Sequence, residues 1–136
     1  VEIYVGHKNI VAVDFDGTIT EMNGSGYHAN YTLKIRKQCK ETLLALHNSG
    51  VRLVLWTCRT GVSLAEAISF LKEEGIFQVF SAVNEHLPEV IEEWTAKGCF
   101  LARKIYADVY IDDHNMIQSL DWHEIREQLW KKWGRN

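Results

Sequence analysis

Long apolar runs, paired cysteines and a strong excess of either charge are all missing from this 136-residue sequence. No uninterrupted apolar stretch approaches the ~18 residues of a membrane-spanning helix, which argues against a membrane protein. Cys39, Cys58 and Cys99 are odd in number and show no C-x-x-C spacing. With no charged-then-apolar leader at the start, they read as three reduced thiols in the cytoplasm. Lys and Arg number 15 against 18 Asp and Glu, a net charge of -3. The basic residues are scattered, so the electrostatic footprint of a nucleic-acid binder is absent and a small or weakly charged partner is expected. What is present, 46% hydrophobic and 24% charged residues, suffices for one core, and a single domain over 1–136 is expected.

Ile10 to Phe15, Val51 to Trp56 and Ile105 to Ile111 are short runs rich in β-branched or aromatic residues, the pattern of strands buried on both faces. Between the first two, Ile35, Cys39, Leu43 and Leu46 recur at helical spacing and Gly50 marks a stop. Ser63 with Glu66 forms a capping-box pattern ahead of a second helix with Leu64, Ala67, Ile68 and Leu71 on one face, ended by Gly75. The single proline, Pro88, suits the first turn of a third helix with Val90, Ile91 and Trp94 inward. Trp122, Ile125, Leu129 and Trp133 stripe a fourth. Strands alternating with helices predict an open α/β sandwich with a mostly parallel sheet of roughly four to six strands. Val1 to Val5 is a further candidate strand before a turn at Gly6 to Asn9, and Thr20 to Tyr31 breaks periodicity as a loop or flap.

In an open parallel sheet, ligands bind beyond the carboxyl ends of the strands. Asp14 and Asp16 follow the first run, Thr57 and Arg59 the second, Asp112 and Asp113 the last. Four carboxylates at one rim repel one another in a partly desolvated cleft, so a cation is needed there. Hard oxygen ligands without paired Cys or His favour Mg²⁺ over zinc. With that charge offset, an aspartate can attack a phosphoryl group. Gly17 lets the backbone turn tightly towards phosphate oxygens. Any one cluster alone would read as turn residues after a strand; three at matching strand ends do not.

Asp14-Phe-Asp16-Gly17-Thr18, then Leu55-Trp56-Thr57, then Lys104, then Ile111-Asp112-Asp113 resembles the four ordered motifs of the haloacid dehalogenase-like (HAD) hydrolases. The resemblance spans roughly residues 10 to 115 and implies a three-layer, Rossmann-like α/β sandwich. It implies that Asp14 is the nucleophile forming an aspartyl-phosphate, Asp16 the general acid and base, and Thr57 a hydrogen-bond donor to the phosphoryl group. Lys104 would neutralise Asp14 and the phosphate, with Arg103 the adjacent alternative. Asp14, the carbonyl of Asp16 and Asp112, with Asp113 as ligand or supporting neighbour, would bind Mg²⁺. Gly17, Thr18, Cys58 and Arg59 complete the expected substrate-binding rim, Arg59 either reaching a second anionic group or pairing with a rim carboxylate. Family members that break carbon–halogen bonds lack the second aspartate and transport ATPases carry threonine there, so Asp16 resembles a phosphatase or phosphomutase. The intervals between motifs leave no room for a separate cap domain, and a homo-oligomer lending a neighbouring subunit as lid stays open.

Gly24-Ser-Gly-Tyr-His-Ala29 matches G-x-G-x-x-A but lies away from a tight turn after a strand. Cys58 is followed at the sixth position by Leu64, so no C-x5-R phosphate loop exists, and Cys58 is expected as a buried neighbour. Among the dispersed histidines, His86 and His114 stand nearest the strand ends. The expected function is therefore a Mg²⁺-dependent phosphatase acting on a small phosphorylated metabolite. The alternatives are a nucleic-acid end phosphatase of the same chemistry and a non-catalytic binding module on the same fold.

Overall fold

The computed structural model describes residues 9–22, 32–116 and 120–134. Four strands, β1 (Ile10–Val13), β2 (Arg52–Leu55), β3 (Phe80–Val83) and β4 (Val109–Ile111), form one sheet in the order β3-β2-β1-β4, every neighbouring pair parallel. They alternate with helices α1 (Cys39–Asn48), α2 (Gly61–Glu73), α3 (Pro88–Ala96) and α4 (Trp122–Lys132). This is the expected α/β sandwich with its Rossmann-like central sheet.

Alternation along each strand divides the core in two. Val11, Val13, Leu53 and Leu55 face a layer containing Cys39, Leu43 and Leu46 of α1, Ala67 and Leu71 of α2, and Trp122 and Leu129 of α4. Ile10, Ala12 and Val54 face the other way, onto Val90 and Trp94 of α3 with Leu87 and Ile105. The direction of travel explains the division. From β1 to β3 the chain steps outwards through α1 and α2, and from β3 it returns across the sheet to β4. A crossover of the same hand running the opposite way must lie on the opposite face, where α3 is found.

Helices α1 and α2 stop at the expected glycines. Just past them the N–H groups of Val51 and Ile76 return to the carbonyls of Leu46 and Leu71, at 3.0 Å each. Pro88 opens α3 as expected. Other boundaries differ from the sequence reading. Ile35 is not helical but bridges Thr20 in antiparallel fashion, and α1 begins at Cys39. The capping box is not formed: α2 starts at Gly61, and the Ser63 hydroxyl donates to the Thr60 carbonyl at 2.8 Å. Ile105 is buried, yet the strand begins only at Val109, because the Tyr110 hydroxyl binds the Ile105 carbonyl and holds the lead-in as an irregular segment. β3 lacks the unbroken apolar run that marks the other strands in the sequence. It is an edge strand with a register shift against β2 and an exposed Ser81, so its apolar pattern is broken. The candidate strand Val1 to Val5 and most of the candidate flap lie outside the described residues.

Helix α4 is tied to the loop after β1 by one buried bond, the Trp122 indole Nε1–H donating to the Thr18 carbonyl at 2.8 Å. Trp122→Phe keeps most of the bulk and removes that bond. It should cost about 1–2 kcal/mol, read as a lower denaturant midpoint at unchanged slope. An unchanged midpoint would mean that the bond contributes nothing to holding the loop.

Candidate functional site

The sheet order makes β1 and β4 neighbours although the chain leaves β1 in the other direction, so the crevice at their carboxyl ends is a topological switch point. The ends are knitted together by backbone bonds: Asp14 N–H to the Ile111 carbonyl at 3.0 Å, Trp56 N–H to Val13 at 2.8 Å, and Asn84 N–H to Leu55 at 2.8 Å. A cleft of about 360 Å³ opens there, lined by Asp14, Asp16, Thr57, Cys58, Arg59, Thr60, Ser63, Asp112 and His114.

The loop after β1 is built around the Phe15 carbonyl, which accepts from the N–H groups of Thr18, Ile19 and Thr20 at 3.2, 3.0 and 3.2 Å. Phe15 and Ile19 plug it into the core, leaving the two aspartates at the cleft. Gly17 has φ +79, and a Cβ there would stand 2.2 Å from Asp113 Oδ2. Backbone strain and collision therefore both require glycine. The fully buried Thr18 accepts from Asp113 N–H at 2.9 Å, and its hydroxyl lies 3.0 Å from Asp14 Oδ2 and 3.3 Å from Asp113 Oδ1. One hydroxyl proton is thus set between two carboxylates.

Asp14 is the crowded acid. Burial first, then the charge of Asp112, push its pKa up to about 7 from the ordinary 3.8; the Thr18 hydroxyl pulls it down, the Asp113 carboxyl pushes it up again, and the Phe15 backbone pulls it down. Asp112 and Asp113 form a turn in which Asp112 Oδ1 accepts the His114 N–H at 2.9 Å. One ligand atom from each of Asp112, Asp113 and His114 lies within 4.8 Å of the others. Asp16 has a different environment. Arg59 Nε and Nη2 donate to its two oxygens, 2.8 Å each, so of the two roles open to Arg59 the structure has the pairing with a rim carboxylate. The guanidinium is 5.0 Å from the centroid of the Phe15 ring and donates from Nη1 to the Ser63 carbonyl at 2.9 Å.

Thr57 stands at the end of β2 as expected. Its hydroxyl oxygen accepts the Arg59 N–H at 3.2 Å, which leaves its proton for an acceptor in the cleft. Its own N–H is held by Asn84 Oδ1 at 2.7 Å. Asn84, with φ 56, was not anticipated, because the strand it ends was not recognised; an Asn closing such a strand is the signal that would have found it. Cys58 is exposed, not buried, since it lies on the cleft side of the turn after β2. Lys104 does not sit in an ion pair with Asp14. It is exposed, and its ammonium rests 5.0 Å from the centroid of the half-buried Tyr110 ring, whose face attracts a cation. Arg103 is likewise exposed and does not line the cleft. His86 is structural: Tyr106 N–H donates to its Nδ1 at 3.2 Å, so its Nε2 carries the proton towards the Ala102 carbonyl at 2.7 Å.

Fold and site together define an α/β protein with an acidic cleft at the switch point of a parallel sheet. The chain is similar over 93% of its length, and 93% of the other, to the solved structure of a conserved protein from Bacteroides thetaiotaomicron, with 33% sequence identity and a TM-score of 0.72. It belongs to the same family as that protein. No family model and no curated protein matches the chain. Among the described residues no helix is long and apolar enough to cross a membrane.

The raised pKa of Asp14 gives a signed prediction for the metal-free protein. Below pH 3.8 the group is neutral folded or unfolded, and above about 7 it is charged in both, so the folded state bears the full penalty only at the higher pH. Asp14→Asn should therefore raise the melting temperature at pH 8 and have little effect at pH 4. A gain that is equal at both would refute the crowding of Asp14. Gly17→Ala should unfold the loop or displace Asp113, and a melting temperature within a degree or so of wild type would contradict the close approach.

Proposed function

We propose that this protein is a Mg²⁺-dependent phosphatase of the HAD-like type, hydrolysing a phosphomonoester of a small metabolite through an aspartyl-phosphate on Asp14. The observation that carries the reading is Asp14 itself, half-buried beside Asp112 and Asp113 with its pKa pushed up to about 7. No lysine or arginine lines the cleft on that side of it among the described residues. Such a group of hard oxygen donors fits a small divalent cation. Asp14, the Asp16 carbonyl and Asp112 would hold it, with Asp113 in support. A bound Mg²⁺ would offset the carboxylate charge and polarise a phosphoryl oxygen.

The chain's own groups then divide the work. The Asp14 carboxylate attacks phosphorus, the Thr57 hydroxyl orients a phosphoryl oxygen, and Asp16 protonates the departing alkoxide. In the second half, water attacks the phosphorus of aspartyl-phosphate, the bond to Asp14 oxygen breaks, and the water proton passes to Asp16. Lys104 lies over Tyr110, two residues before Asp112 and on the same face, from which its long side chain would swing towards a bound phosphate. The exposed Cys58 thiol at the cleft suits a reducing compartment such as the cytoplasm.

A phosphate-release screen over sugar phosphates, nucleotides and a phosphorylated oligonucleotide, with Mg²⁺ and with chelator, tests the reading. Turnover is expected only with Mg²⁺, none in Asp14→Asn, and a higher Mg²⁺ requirement in Asp112→Ala than in Asp113→Ala. Full activity in chelator, or silence on every substrate, would overturn it. Activity confined to the oligonucleotide would move the substrate class to nucleic-acid ends.

A further inference from the structure

The two aspartates of the loop after β1 differ in one respect that the reaction alone does not explain. Asp14 is surrounded by acids, whereas Asp16 is gripped through both oxygens by a guanidinium, and that guanidinium is a fixed object. The Arg59 side chain is 5% exposed against 17% for Asp16. It lies over the fully buried Phe15 ring and donates to the Ser63 carbonyl in the first turn of α2. Its own backbone N–H is held by the Thr57 hydroxyl oxygen, and Thr57 by Asn84. A planar fork anchored on three sides imposes a plane and a direction on the carboxylate it binds, which a flexible point charge cannot do.

We propose that Arg59 is the positioning residue for Asp16. Resting on the phosphatase reading, it acts by setting the orientation from which Asp16 meets the leaving oxygen and the attacking water, not by binding substrate. The chain of contacts from Asn84 through Thr57 to Arg59 and Asp16 then links the ends of β3, β2 and β1 into one support. The water step is the more demanding of the two. There the proton leaves a water that nothing covalent holds, so a carboxylate misplaced by about 1 Å should cost of order 10²-fold in rate.

The test is a double-mutant cycle of Arg59→Lys and Asp16→Asn, with an aryl phosphate whose leaving group needs no proton. Turnover, KM and the intact mass after acid quench are read with Mg²⁺ present, and thermal melts establish that each variant is folded. Arg59→Gln, shorter and uncharged but still carrying a planar amide donor, replaces the lysine variant should that one not fold. Asp16→Asn should gain the ~80 daltons of a phosphoryl group on Asp14. Arg59→Lys should gain it too, with turnover about 10- to 100-fold lower and KM within about threefold of wild type. It should cause almost no further loss on the Asp16→Asn background. Arg59→Lys that raises KM at unchanged kcat would make Arg59 a substrate contact and overturn the inference alone. So would losses that multiply, or an Arg59→Lys protein that loses activity without trapping phosphate while Asp16→Asn traps it. An Asp16→Asn protein that never gains the mass, beside a wild type without turnover, would sink the phosphatase reading and this inference with it.

Discussion

The hydrogen bond from Asp14 N–H to the Ile111 carbonyl, 3.0 Å long, puts two acid-bearing strand ends side by side, and the rest of the site follows from that placement. β1 is central and β4 is its neighbour on the side away from β2, so Asp14 must share a crevice with Asp112 and Asp113. Partial burial at the cleft then strengthens the repulsion, because a carboxylate drawn out of water interacts with its neighbours at a lower dielectric. The loop after β1 is shaped to hold this unfavourable arrangement. Phe15 and Ile19 anchor it, Gly17 makes room for Asp113, and the Thr18 hydroxyl stands between the two carboxyls. Under the proposed reading, a cation brought in from outside relieves that repulsion.

One loop has separated two identical side chains by environment. Asp14, at the strand end, is partly buried and crowded by the acids Asp112 and Asp113, and the Thr18 hydroxyl and the Phe15 backbone offset this only in part, so its pKa rises to about 7. Asp16, two residues on, reaches across to Arg59 in the turn between β2 and α2, whose guanidinium donates to both oxygens. Under the proposed chemistry the first needs a cation before it can serve as a nucleophile, while the second is held ready in a fixed orientation. Buried pairs of this kind add little to stability by themselves, since desolvation offsets attraction, but they define geometry.

Much of this was legible in the sequence where backbone pattern and short polar side chains decide the outcome. The apolar runs of β1 and β2 and the glycines after α1 and α2 carried the architecture, and an aspartate directly behind a strand has little freedom over where it points. β3 escaped because an edge strand with a bulge and an exposed Ser81 lacks the unbroken apolar run of a central one, and Asn84 was lost with it. The sequence leaves Arg59 two roles, since a long cation selects among nearby anions only once the fold has fixed their distances. Lys104 was placed by resemblance at the nucleophile, yet four rotatable bonds let it settle over Tyr110 instead. Exposed long side chains and edge strands depend on tertiary contacts that local pattern does not encode.

The central claim is that the carboxylates around Asp14 are assembled for a divalent cation. Binding such an ion must displace the proton that crowding leaves on Asp14 near neutrality. Calorimetric titration of the protein with Mg²⁺ at pH 7, in buffers of different ionisation enthalpy, measures that proton directly. Release of a fraction of a proton per ion is predicted at pH 7, vanishing by pH 9 and in Asp14→Asn. Binding with no proton release at pH 7, or no Mg²⁺ binding at all, would contradict the account.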